Sequence, residues 1–101
     1  MLYLITCTDV ADGPAIRDRV LATHLDHIAA VLPEKRIRIA GPVNGPNGKP
    51  HGSYFIVEAE SEADARAFLA RDPFHKAGLW ATIKVEPCRA VAGDWVGGRT
   101  W

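Results

Sequence analysis

The sequence predicts an α+β fold with the ferredoxin-like order β-α-β-β-α-β, and three observations support it. Short segments rich in β-branched and aromatic residues alternate with two segments of helical periodicity. Turn signals made of Gly, Pro, Asn and Asp separate these segments. The chain has 101 residues, 48% hydrophobic and 24% charged, which suits one globular domain with a modest core.

The strands are predicted from local composition. They are expected at 2–8, 36–41, 53–59 and 79–87. The stretch 42–52, "PVNGPNGKPHG", is predicted to be a loop because of its glycines and prolines. Residues 1–88 would form the domain, and 89–101 would be a C-terminal tail, in which Trp95 and Trp101 are expected to make core or dimer contacts.

The first helix is predicted from its capping residues and its period. Pro14 suits its first turn, with Asp12 or Gly13 as the cap, and Pro33 should stop it near Leu32.

The second helical region has two capping signals. "SEAD" at 61–64 predicts a capping box in which Ser61 opens a helix that ends near Arg71. Asp72 would then cap a short helical turn that starts at Pro73 and ends at Gly78.

The faces of the strands predict the sheet order. The second strand alternates, with Ile37 and Ile39 on one side, and the fourth does likewise with Ile83 and Val85, as edge strands would. The first and third strands are apolar on both sides, which places them in the centre and predicts the order 4-1-3-2. Two helices cover one face only, so we expect a second copy to cover the other in a homodimer.

Charge and hydropathy exclude several classes of protein. The formal net charge is zero, which argues against sequence-independent nucleic-acid binding. No apolar run approaches the roughly 20 residues of a membrane span. The N-terminus lacks the pattern of a signal peptide, so a cytoplasmic location with reduced Cys7 and Cys88 is expected.

A histidine interrupts the apolar face of the first helix. At about 100° per residue, His24 points near the centre of the arc made by Ile16, Val20, Leu21, Leu25, Ile28, Val31 and Leu32. A buried imidazole must be hydrogen-bonded or functional, and the residues alone leave a bond to a backbone carbonyl open.

Two charged residues can accompany His24. Arg17 lies two turns earlier on nearly the same face, where it can bind an anionic ligand or extend its charge to solvent. Asp72 can approach His24 because both helices pack on one sheet face. A carboxylate beside an imidazole fixes its tautomer and raises its basicity, and the same carboxylate can also be a helix cap.

A metal site is not expected. His24 and His27 in "HLDH" are a possible pair of ligands, but no third ligand completes a set, and His27 at the stripe edge suits packing better. His51 and His75 are expected to face solvent.

The chain resembles the YciI-like (YCII-related) family over about residues 1–88. The resemblance rests on Arg17, "HL" at 24–25, "AGP" at 40–42, "EAESEADA" at 58–65 and "DPFHKAGL" at 72–79. It implies a dimeric α+β barrel related to muconolactone isomerases and small cofactor-free monooxygenases, with a His–Asp active site at His24 and Asp72. One branch of the family eliminates HCl from chlorinated hydroxyquinols.

The chain departs from the family pattern in three places. "PEK" stands at 33–35 instead of a glycine turn, Cys88 stands where an aromatic residue is common, and the tail is extended.

Two functional hypotheses follow. In the first, the protein is an enzyme without a cofactor or metal, in which His24 is the general acid or base, Asp72 orients it and Arg17 holds an oxygen of a small cyclic anionic substrate. In the second, it is a non-catalytic dimeric module for a small ligand or a protein. A dry pocket with an ionisable histidine favours the first hypothesis, and a filled pocket with His24 bonded only to backbone favours the second.

Overall fold

The computed structural model describes residues 1–101, and a four-stranded antiparallel sheet is its framework. Its main elements are β1 (Leu2–Asp9), α1 (Gly13–Val31), β2 (Ile37–Asn44), β3 (Pro50–Glu58), α2 (Glu62–Leu69), α3 (Pro73–Lys76) and β4 (Trp80–Cys88). The strands lie in the order β2-β3-β1-β4. The predicted ferredoxin-like fold and the order 4-1-3-2 are therefore confirmed.

The core lies on one face of this sheet, under the helices. Side chains alternate along a strand, so each central strand turns every second residue inward. The inward residues of β1 and β3 are at most 5% exposed and are Tyr3, Ile5, Cys7, Ser53, Phe55 and Val57. Phe68 of α2 and Phe74 of α3 complete the core from the helical side. On the outer face, Leu4 and Ile56 are only half-buried.

The edge strand β2 differs from the prediction that Ile37 and Ile39 share a face. Ile37 pairs with Val57, but Ile39 pairs with Ile56, so β2 advances two residues while β3 advances one. The extra residue, Arg38, makes a β-bulge, which moves the following side chains to the opposite face. Ile37 therefore packs on the core, whereas Ile39 lies on the outer face.

The predicted loop at 42–52 is also wrong in extent. Both strands continue into it, and the connection is reduced to a turn in which the Gly45 N–H donates to the Lys49 carbonyl oxygen at 2.9 Å. Prolines suggested a loop because they cannot donate to a strand ladder, but β2 is an edge strand, where Pro42 is tolerated. The longer hairpin extends the sheet alongside α1.

The helix boundaries follow their capping residues closely. α1 ends at Val31 and passes into a 3-10 turn that contains Pro33, and Lys35 then adopts a left-handed conformation with φ 59°. Ser61 Oγ accepts a hydrogen bond from the Asp64 N–H at 3.0 Å, as a capping residue should. α2 stops at Leu69, two residues before the predicted end.

The C-terminal segment forms a small hairpin of its own. β5 (Ala92–Gly93) pairs with β6 (Gly98–Arg99) around a 3-10 turn at Asp94–Val96. Trp95 is 85% exposed and Trp101 is 74% exposed, so neither contributes to the core of its own chain. No helix is both long and apolar enough to cross a membrane.

Candidate functional site

The apolar stripe of α1 divides between two surroundings. Ile16, Val20 and Ile28 pack against the core, whereas Leu21 and Leu25 are 46% and 54% exposed. The latter two line a cavity of about 640 Å³ between α1 and the β2–β3 hairpin. Its other lining residues include Arg17, His24, Pro42, Lys49, Ser53, Phe55 and Phe74. His24 thus lies where the helix leaves the core and faces an open cavity.

His24 and Asp72 are in direct contact. Nδ1 of His24 lies 2.8 Å from Oδ1 of Asp72, and the His24 side chain is 15% exposed. An ionised carboxylate can only accept hydrogen bonds, so Nδ1 carries the hydrogen. In the neutral ring, Nε2 then presents a lone pair, with no partner within the chain.

One carboxylate oxygen of Asp72, Oδ1, takes part in two hydrogen bonds. Oδ1 also accepts the Phe74 N–H at 2.9 Å, so Asp72 is the cap of α3 as well as the partner of His24. The residue is 2% exposed, and its other oxygen, Oδ2, has no hydrogen-bond partner. The cap positions Oδ1 because α3 begins immediately after Asp72.

Phe74 supports the imidazole from its flat side. The two rings stack with centroids 3.9 Å apart and planes 15° from parallel. The Arg17 guanidinium lies over the same phenyl ring, 5.3 Å from its centroid. Stacking leaves the His24 ring little freedom to rotate away from Asp72.

Arg17 is held more completely than the sequence indicated. Its Nε donates to Asp9 Oδ2 at 2.8 Å, and its Nη2 lies within 3.1 Å of Asp9 Oδ1, the Gly52 carbonyl oxygen and Ser53 Oγ. With 12% of its side chain exposed, Arg17 does not extend into solvent. Only Nη1 has no partner in the chain, and Arg17 lines the cavity.

The buried thiol of Cys7 lies near the carboxylates of Asp72 and Asp9. Burial raises the pKa of Cys7 to about 12, and the negative charges of Asp72 and Asp9 add to the effect, against which Arg17 acts. The thiol therefore remains protonated at physiological pH and is a poor nucleophile.

We expect a thiol reagent at pH 8 to leave Cys7 unmodified in the folded protein. The raised pKa of Cys7 also makes alkali destabilising: between about pH 8.5 and 12 the unfolded chain loses this proton and the folded chain keeps it, at a cost of about 1.4 kcal/mol per pH unit. In urea unfolding across this range, the free energy of unfolding should depend less on pH in Cys7→Ala than in the wild type. Rapid labelling of Cys7 in the folded protein would contradict the prediction that it stays unmodified.

The other histidines are not brought to the site. His51 and His75 are exposed, as predicted, and His27 is half-buried and does not line the cavity. No three His, Cys, Asp or Glu side chains come together in a group that could hold a metal ion.

Three residues of the site were missed by sequence reasoning: Asp9, Ser53 and Phe74. Phe74 could have been found from the sequence, because it stands two residues after Asp72 in the motif "DPF". Asp9 and Ser53 could not, because the neighbours of a strand residue on other strands and helices are known only once the sheet register and the packing are known.

The comparisons with known proteins agree with this architecture. Residues 1–89 match the sequence model of the YCII-related domain. The chain is 34% identical to Protein YciI of Escherichia coli O6:H1 and to that of Shigella flexneri, in each case over 97 residues that make up 90% of this chain and 99% of the relative.

A solved structure is similar as well. It is 5-chloro-2-hydroxyhydroquinone dehydrochlorinase (TftG) from Burkholderia phenoliruptrix AC1100, in complex with 2,5-dihydroxybenzoquinone. It superposes with a TM-score of 0.77 at 32% sequence identity, and the match covers 94% of this chain and 98% of the other. From the matched domain and the shared fold we conclude that the chain belongs to the YCII-related domain family.

Proposed function

We propose that this protein is a small enzyme that uses His24 for general acid–base chemistry on a small cyclic or aromatic-derived anion, without a metal or organic cofactor. One observation carries the proposal. His24 and Arg17 line the same cavity, and Asp72 holds the His24 ring so that its Nε2 has no hydrogen-bond partner within the chain. The similarity to a dehydrochlorinase supports an elimination, and an isomerisation uses the same groups.

The residues have separate roles in this reaction. His24 Nε2 takes a proton from an acidic C–H or O–H of the substrate, and Asp72 stabilises the imidazolium that forms. The electron pair moves through the conjugated ring and either expels a leaving group as an anion or leads to protonation at another carbon by His24. Arg17 Nη1 attracts the negative charge of the substrate.

A direct assay tests the proposal. Chlorinated hydroxyhydroquinones and unsaturated lactones would be incubated with the protein, with chloride release and absorbance changes as readouts. Turnover that depends on His24 would support an enzyme. Tight binding without turnover of any compound would instead support the non-catalytic binding module.

The protein is also proposed to be a homodimer through the outer face of the sheet. Leu4 and Ile56 form an apolar patch on the central strands of this face, and the patch continues into a groove of about 980 Å³ that Val91 and Trp95 of the C-terminal segment also line. A patch of this kind is unfavourable in water, and a second copy covers it by symmetry.

Residues 1–88 are proposed to form the domain, and residues 89–101 a segment appended to it.

We expect light scattering to give the mass of a dimer at micromolar concentration. Ile56→Glu should shift the protein to a monomer, because a charge would be buried at the centre of the interface. Ala67→Glu, at an exposed position of α2 on the helical side of the sheet, is the control that should remain dimeric. A wild-type monomer would refute the dimer.

Activity is expected without bound metal. Elemental analysis before and after treatment with a chelator should give the same result, and turnover should be unchanged. Stoichiometric zinc or iron lost together with activity would contradict this.

The two free thiols, Cys7 and Cys88, support a reducing, cytoplasmic location.

A further inference from the structure

Ser53 has a buried hydroxyl group whose oxygen accepts two hydrogen bonds within the chain and whose hydrogen has no acceptor there. It is 5% exposed and lines the same cavity as His24. Ser53 Oγ lies 3.1 Å from Arg17 Nη2 and 3.3 Å from Trp80 Nε1. Guanidinium and indole nitrogens donate and never accept, so both bonds occupy the lone pairs of the serine oxygen.

The Ser53 O–H is therefore available as a donor. A hydroxyl has two acceptor positions and one donor, and no acceptor in the chain receives this hydrogen. Arg17 Nη1, on the guanidinium that contacts Ser53, is likewise a donor without a partner. The two residues thus bring unused N–H and O–H groups together at a cavity that six hydrophobic residues and the charged residues Asp18 and Lys49 also line.

We infer that Ser53 and Arg17 Nη1 together bind an oxyanion of the substrate, a phenolate or an enolate oxygen. This inference rests on the proposed function and specifies its substrate: a ring compound whose oxygen becomes, or already is, negatively charged. Where the oxygen starts as a ring carbonyl, His24 removes a proton from the adjacent carbon, the electron pair moves onto the oxygen to form the enolate, and the two donors stabilise it; where the oxygen is already a phenolate, the donors bind the existing charge. The pair then returns to expel the leaving group or to accept a proton elsewhere.

The serine can be changed without releasing the arginine. Nη2 has two hydrogens and three acceptors in reach, so in Ser53→Ala the Asp9 carboxylate and the Gly52 carbonyl oxygen still satisfy it. The substitution alters no formal charge, so a change in anion binding cannot arise from long-range electrostatics.

The test compares two probes of similar shape, 4-nitrophenolate and its methyl ether 4-nitroanisole, by calorimetric titration at a pH where free 4-nitrophenol is ionised. The wild type should prefer the phenolate. Ser53→Ala should weaken phenolate binding about ten-fold or more, the usual effect of losing a hydrogen bond to a charged group, and leave ether binding within about two-fold. Ser53→Thr, which keeps the hydroxyl, should retain the preference even if its added methyl weakens both probes.

Two results would overturn the inference. One is a wild type that does not prefer the phenolate, and the other is a Ser53→Ala protein that keeps the wild-type preference or weakens both probes equally. The proposed function fails differently, if no ring compound is turned over although the phenolate preference is present and depends on Ser53.

Discussion

His24→Asn is expected to abolish most activity and leave the protein folded. The asparagine amide can still donate to Asp72 Oδ1, which keeps the buried carboxylate paired, but it cannot take up a proton at the position of Nε2. Loss of a general base typically lowers kcat/KM by about 10²–10⁴-fold. We expect the free energy of unfolding in urea to change by about 1 kcal/mol or less, since the hydrogen bond is preserved.

His27→Asn is the matched control, because it makes the same change three residues further along α1, away from the cavity. It should keep wild-type activity. His24→Leu is a poorer test than it appears from the sequence, because it would leave the buried Asp72 carboxylate without its partner and destabilise the fold. Retained turnover in His24→Asn would exclude His24 as the acid or base.

Asp72→Asn should lower kcat strongly with little change in KM. Asparagine caps helices well and can still accept the Phe74 N–H, so α3 should keep its start. It cannot stabilise the imidazolium that forms during the reaction, and it can accept or donate toward Nδ1, so the His24 tautomer is no longer determined. In a known triad, the same substitution costs about 10⁴-fold in kcat, and we expect a loss of about 10²–10⁴-fold here.

Nitrogen NMR of the His24 ring supplies the second measurement. The wild type should show hydrogen on Nδ1, and Asp72→Asn should show a mixture of tautomers. Asp64→Asn is the control, since Asp64 also accepts a backbone N–H and pairs with an arginine, but away from the cavity. Full activity and an unchanged tautomer in Asp72→Asn would mean that Asp72 is only a cap.

Much of the framework was readable from the sequence because it depends on local chemistry. Pro33 and Ser61 marked helix ends within one residue, since capping and the geometry of proline act over a few positions. The two-sided apolar strands placed β1 and β3 at the centre of the sheet. The same locality explains the errors: a bulge at Arg38 and a proline tolerated in an edge strand depend on the partner strand.

The candidate site divides in the same way. His24 and Asp72 were found from helical periodicity, a capping motif and the family pattern in "DPFHKAGL", and their approach followed from two helices on one sheet face. The role of Arg17 was predicted from its helical spacing alone, and that spacing could not show that Asp9 neutralises it and leaves only Nη1 free.

The sequence by itself determined the order of the elements, the strand order and the family, because periodicity, caps and short motifs are properties of neighbouring residues. Only the tertiary structure decided the surroundings of the cavity. Asp9 meets Arg17 across a strand end, and Ser53 receives donors from a helix and an edge strand, so the direction of its hydroxyl is a consequence of three distant segments. Hydrogen-bond capacity is a fixed property of each side chain, but which capacity remains unused depends on every neighbour that packing brings into contact.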